Sequence, residues 1–268
     1  MNVKSQHYAI VVVDIEKFGS RADRVAQWLR TRLYEMAETA LDDTGVDRAA
    51  APPPADRGDG FFWLLPGSVD KTDLTARFVG LLHDQLRAHA RTSNDEGALR
   101  IRVALHSGDV SWDGRGWVGE ELNTACRLVD IEPLRTTLAE ARRSGLALAV
   151  SDDWYRRVVH RGAPEVEREA FREFPFDAKE IQGASAWIRV PGYDVPPGIT
   201  PLVRTPGQGQ GQEPGPDRGA ARQAGPAAAT ERGLPPAFAG DIGQFVYGDQ
   251  TVTGGMTIQM PGNGEREK

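Results

Sequence analysis

The sequence predicts an α/β (α+β) fold, a ferredoxin-like split βαβ sandwich, on three observations. Tyr8 to Val13 is a continuous, mostly β-branched run, which reads as a strand buried on both faces. Two long segments repeat apolar residues at helical spacing, and strand-like runs separate them. The order strand, helix, hairpin, helix, strand matches a split βαβ unit, here expected with its helices on one face of the sheet.

The elements follow in order. Helix one is expected from about Arg21 to Leu41, because Val25, Trp28, Leu29, Leu33, Met36 and Ala40 recur at three and four residues. Phe61 to Leu65 reads as the next strand. Arg57-Gly58-Asp59-Gly60 before it reads as a turn, since Asp-Gly favours a tight hairpin. Pro52, Pro53 and Pro54 do not fit inside a central strand. Asp73 to Ala90 repeats the helical period through Leu74, Phe78, Leu81, Leu82 and Leu86. Leu99 to Val110 alternates as a strand through Ile101, Val103 and Leu105. Asn123 to Asp130 opens a helix, and Leu146 to Val150 is another buried strand.

A chain of 268 residues accommodates about one to two domains. Residues 1–192 are expected to hold the folded domain. Residues 193–240 are rich in Pro, Gly, Ala and Gln, a composition that buries too little apolar surface to offset ordering entropy, and read as a flexible linker. Residues 241–268 are expected to form a short β-rich tail, because Phe245, Tyr247, Val252, Met256, Ile258 and Met260 alternate with polar or glycine positions around Gly254-Gly255. Such a pair of strands on a tether suits addition to a partner's sheet edge, with folding back onto its own domain as the alternative.

Composition excludes several functions. The net charge of −6 argues against nucleic acid as a partner. A single cysteine, Cys126, forms no intrachain disulfide and no Cys-based zinc cluster, which fits a cytoplasmic protein. No long apolar run reads as a membrane span, and the N-terminal run ends at Asp14 without a secretory h-region. The five histidines show no metal-ligand spacing; His106 reads as a strand residue supporting the site. Only five of the 32 basic residues are lysines, a bias that fits GC-rich coding.

Chemistry concentrates in four segments: residues 11–19, 57–62, 99–110 and 119–128. Asp14 stands where a buried strand emerges, where an ionised carboxylate needs a cation or hydrogen-bond partners; alone it reads first as a solvated strand-end or capping carboxylate. With Asp59 in the neighbouring hairpin it makes a pair suited to Mg²⁺, which takes a few carboxylates plus water and substrate phosphates. Asn123 and Arg127, four apart on a helix, point the same way, so a guanidinium there suits a phosphate; a solvated polar face is the alternative.

Together these segments resemble the class III nucleotide cyclase catalytic domain of adenylate and guanylate cyclases, over roughly residues 5–190. The first metal motif of that family matches Asp14-Ile15-Glu16-Lys17-Phe18, and the second matches Gly58-Asp59. The strand motif His-x-Gly-x-Val matches His106 to Val110, and the helix signature matches Gly119, Leu122, Asn123, Ala125 and Arg127. The resemblance implies two Mg²⁺ or Mn²⁺ ions held by Asp14 and Asp59 with the Ile15 carbonyl. It also implies Arg127 on the α-phosphate, Asn123 on the ribose, and substrate contacts from Phe18, Gly58 and Lys179. It implies a homodimer with two sites, a nucleoside triphosphate substrate and a 3′,5′-cyclic product with release of pyrophosphate.

The family's purine-reading positions fall on Ala55 and Gly116, neither of which reads a base edge by its side chain, and Arg57, Asp56, Arg115 or Trp117 are the nearby substitutes. Bacterial pyrimidine cyclases of antiphage signalling also lack the purine-reading pair, so cCMP or cUMP stands beside cAMP and cGMP as the expected product. The tail weakly resembles strand tags of actinobacterial conflict-system proteins. The competing expectation is a catalytically inactive cyclase-homology module that dimerises, binds nucleotide and recruits a partner through its tail.

Overall fold

The computed structural model describes residues 4–178 and 181–198. Lys179, most of the expected linker and the whole of the expected tail, residues 241–268, lie outside the described residues.

Eight strands form one sheet: β1 (Ser5–Ile15), β2 (Ala55–Asp56), β3 (Gly60–Pro66), β4 (Ile101–Trp112), β5 (Trp117–Val118), β6 (Leu146–Ser151), β7 (Arg172–Ala178) and β8 (Ile181–Arg189). Their order is β2-β3-β1-β4-β6-β8-β7, with β5 paired to β4. Among the described residues only β4 and β6 pair in parallel. The helices are α1 (Asp23–Asp42), α2 (Lys71–Asp73), α3 (Val79–Ala90), α4 (Glu120–Leu128), α5 (Glu132–Glu140) and α6 (Asp152–Trp154). A π-helical turn, Leu74–Phe78, joins α2 to α3, and another, Tyr155–Val159, continues α6.

Helices cover both faces of the sheet, which corrects the expectation of helices on one face. Ala9, Val11, Val13 and Ile15 of β1 pack with Leu29 and Leu33 of α1, Leu82 and Leu86 of α3, and Trp154. Tyr8, Ile10 and Val12 pack with Leu122, Ala125 and Leu128 of α4 and with Leu134 and Leu138 of α5. The reason is the one that predicted β1: successive side chains of a strand point to opposite faces, and a run apolar at every position needs cover on both sides.

β4 lies between β1 and β6, and all its residues from Ile101 to Gly108 are buried, so both faces of the expected strand are covered. Trp28, counted in the apolar stripe of α1, is 44 % exposed and packs its ring on His89. β2 is an edge strand of two residues, so Pro52 to Pro54 interrupt no ladder.

Candidate active site

Asp14 sits one residue before the end of β1, beside Gly60 on β3 and Arg102 on β4. It is 2 % exposed, and the Arg102 guanidinium hydrogen-bonds its carboxylate. Gly60 is required at this crossing, because a Cβ there would stand 1.9 Å from the Val13 carbonyl oxygen. The turn before it is tightly closed. Gly58 takes φ 91°, the left-handed region that favours glycine, and its N–H donates to Asp56 Oδ1 at 2.7 Å. The Arg57 N–H donates to the Gly60 carbonyl, and the Ile15 N–H donates to the Asp59 carbonyl, both at 2.9 Å. The hairpin is thereby fastened to the end of β1, which brings the Asp59 carboxyl beside that of Asp14.

Burial raises the Asp14 carboxyl from an ordinary 3.8 to about 7; Arg102 opposes the rise, and the charges of Asp59 and Asp130 add to it. Asp14 is thus a buried carboxyl that Arg102 only partly compensates, with a second carboxyl beside it. This donor set fits a hard divalent cation, which prefers a small number of carboxylates and completes its shell with water and phosphate oxygens. Among the described residues no cluster of three or more His, Cys, Asp or Glu is arranged to hold a metal. The protein would therefore supply two carboxylates and leave the remaining positions to substrate and water.

α4 lies over β4 and β1 on the same sheet face as Asp14 and Arg102. Leu122, Ala125 and Leu128 are buried against the sheet, while Asn123 is exposed and Arg127 half-buried. The C-terminal end of α4 meets the Asp59 hairpin through Arg57, whose guanidinium lies 3.5 Å from Asp130. Arg57 Nη1 is buried without a hydrogen-bond partner.

The other expected positions have distinct surroundings. Ile15 is buried, and Phe18 packs against the α1-side core at the head of a 3-10 turn that follows Lys17, whose φ of 56° bends the chain away from β1. Ala55 is on the edge strand β2. Gly116 is in the β4–β5 turn, where its N–H donates to Asp113 Oδ1 at 2.8 Å. Asp56 is engaged by Arg30, by the Tyr34 hydroxyl at 3.1 Å and by Gly58, so it anchors the turn to α1 and is unsuited to reading a base. Trp117 packs edge-on against Tyr8 and Trp112.

Sequence reasoning missed Arg102 and Glu121. The signal for Arg102 was available, since a charged residue inside the apolar run from Ile101 to Leu105 needs a buried partner. Glu121 carried no such signal, because an acidic residue in a first helical turn is ordinary.

Among solved structures, the chain is similar to an adenylate/guanylate cyclase/hydrolase from Silicibacter pomeroyi, at 19% identity and TM-score 0.50, over 71% of this chain and 99% of that one. It is also similar to the guanylyl cyclase domain of the RhoGC fusion protein from the aquatic fungus Blastocladiella emersonii (17% identity, TM-score 0.45, 69% and 97% covered). A third is a bacterial light-regulated adenylyl cyclase (13% identity, TM-score 0.49, 70% and 91% covered). No protein-family model and no curated protein matches the chain. The first of these likenesses shows the fold, that of a cyclase homology domain.

Proposed function

We propose that this chain is a nucleotide cyclase, converting a nucleoside triphosphate to its 3′,5′-cyclic monophosphate and pyrophosphate. The observation that carries the reading is the nearness of Asp59, in the turn before β3, to the buried Asp14 at the end of the adjacent strand, in a cyclase fold.

Asp14 and Asp59 would hold Mg²⁺ or Mn²⁺, with the Ile15 carbonyl as a further ligand; when bound, such ions neutralise the triphosphate and promote ionisation of the attacking hydroxyl. Arg102 holds the Asp14 carboxylate in place from the neighbouring strand. Arg127 donates to the α-phosphate, where charge builds in the transition state, and Asn123 orients the ribose. The bond from the 3′-oxygen to the α-phosphorus forms, the bond from that phosphorus to the pyrophosphate oxygen breaks, and the hydroxyl proton leaves to solvent. Phe18, Gly58 and Lys179 complete the proposed substrate contacts.

The proposed assembly is a homodimer with two sites. Trp112, 50 % exposed, and Val118 on the β4–β5 hairpin offer an apolar surface for the second copy. At the base, Ala55 and Gly116 supply no polar side chain, and the unpartnered Arg57 Nη1 is the candidate base contact, which favours testing CTP and UTP beside ATP and GTP. Among the described residues no helix is long and apolar enough to cross a membrane. A role in bacterial signalling or antiphage defence, with residues 241–268 engaging a protein partner, completes the proposal.

The test is incubation with each of the four triphosphates and Mg²⁺ or Mn²⁺, with products identified by mass spectrometry. One cyclic monophosphate is expected from the wild-type chain and none from Asp59→Ala. Calorimetric binding of a triphosphate without turnover would instead establish the inactive module.

A further inference from the structure

Glu121, in the first turn of α4, lies across the sheet and receives a hydrogen bond from His106 Nε2. His106 is 5 % exposed, and its other nitrogen, Nδ1, is 2.7 Å from Ser151 Oγ at the end of β6. The carboxylate only accepts, so Nε2 carries the proton, and in the neutral ring Nδ1 accepts from the Ser151 hydroxyl. The Ser151 oxygen in turn accepts from the Trp154 N–H at 3.3 Å, capping the helix that follows. A hydrogen-bonded chain thus runs from α6 through the sheet to α4. Ser151 is buried and occupied as a cap, so it is not presented as a nucleophile.

Gly108 provides an independent sign that this path is built in. It lies two residues beyond His106 on the same face of β4, and a Cβ there would stand 2.2 Å from Glu121 Cγ. The Glu121 side chain lies directly on the glycine backbone, and any larger residue would lift it away from His106.

Charged anchors therefore stand at both ends of α4. Glu121 is bound to His106 at the N-terminal end, and Asp130 is bound to Arg57, beside the Asp59 turn, at the C-terminal end. The two lie roughly 13 Å apart along the helix axis, with Asn123 and Arg127 between them. The apolar contacts of Leu122, Ala125 and Leu128 resist separation of the helix from the sheet, but such contacts are non-directional and only weakly fix rotation or sliding. The directional His106–Glu121 hydrogen bond at one end, with the Arg57–Asp130 ion pair at the other, restricts these.

We infer that His106 and Glu121 are positioning residues that set the rotation and axial register of α4, and through it the placement of Asn123 and Arg127. For its kinetic consequence the inference rests on the cyclase reading; for its structural consequence it does not.

The test uses the full chain with Glu121→Ala, Glu121→Gln and Gly108→Ala. Glutamine keeps an acceptor for Nε2–H at the same reach, whereas alanine removes it and Gly108→Ala displaces it. With Glu121→Ala and Gly108→Ala, kcat is expected to fall about tenfold or more while KM for the triphosphate changes little, as for a misplaced transition-state group. Glu121→Gln is expected to stay near wild type. Amide exchange over residues 122–128 is expected to speed up in the first two variants and not in Glu121→Gln, with β1 and β6 unchanged. Equal exchange over α4 in Glu121→Ala and wild type would overturn the inference, as would equal impairment by Ala and Gln. If the wild-type chain forms no cyclic nucleotide, the proposed function fails while the exchange comparison still decides the anchor.

Discussion

Arg102 stands directly across the β1–β4 pairing from Asp14, and its guanidinium holds a carboxylate that is almost wholly out of solvent. The neighbouring carboxylate of Asp59 weakens that compensation at Asp14.

Removing the Arg102 guanidinium is the first prediction. Arg102→Met is expected to destabilise the metal-free protein by about 3 kcal/mol at pH 8, the order found when a buried ion pair loses one partner. The loss should shrink at pH 5, where Asp14 takes up a proton. Urea unfolding at the two pH values measures it, and an equal loss at both would show that Asp14 is not the partner responsible.

The pH dependence of the wild-type chain has a definite sign. The folded-state pKa of Asp14, about 7, lies above its ordinary 3.8, so the folded state binds this proton more tightly than the unfolded state. The stability from this proton is fully present below the ordinary value and is lost as pH rises through the folded one. Metal-free wild type should lose stability between pH 4 and 7 relative to Asp14→Asn, which lacks the group. Mg²⁺ or Mn²⁺ should raise the melting temperature of wild type more at pH 8 than at pH 6, and that of Asp14→Asn little at either.

Asp59→Asn separates catalysis from stability. It removes a like charge from beside Asp14, so metal-free stability at pH 8 should rise or stay level, while cyclic nucleotide formation falls by at least about a hundredfold through loss of electrostatic stabilisation. Thermal melting and product quantification on the same preparation check both.

Arg127→Ala is expected to lower kcat by about a hundredfold to a thousandfold with a smaller change in KM, because its proposed bond strengthens as the α-phosphate gains charge. Steady-state kinetics give the split; a KM effect alone would make Arg127 a ground-state binding residue.

Gly60→Ala tests the crossing that aligns the hairpin. The added Cβ meets the Val13 carbonyl at 1.9 Å, and backbone must shift to admit it. A loss of about 3 kcal/mol or more is expected by calorimetric or urea unfolding.

How much was legible follows from the range over which each signal acts. Tyr8 to Val13, the repeat through Leu29, Leu33 and Met36, and Leu146 to Val150 announce a strand or helix by their own periodicity, and the structure has those elements. The expectation for helix placement failed because it ignored what β1 already stated: apolar at every position, it required cover on two faces. The strand expected over Leu99 to Val110 is present as Ile101–Trp112, but its alternation shows only which residues are apolar, whereas its burial on both faces depends on lying between β1 and β6.

The residues themselves were enough to place Asp14 at the end of a buried strand, Asp59 in a glycine-rich turn, and Asn123 and Arg127 on one helical face, since these depend on local spacing. Tertiary structure alone decided that Asp14 meets Arg102 across one strand pair and Asp59 across the other. It likewise decided that Glu121 reaches His106 over Gly108, and that Asp130 binds Arg57 at the opposite end of the same helix. The physical reason is that charge and hydrogen-bond energies depend on distance and burial, and for residues far apart in the chain both are set by strand register and helix docking.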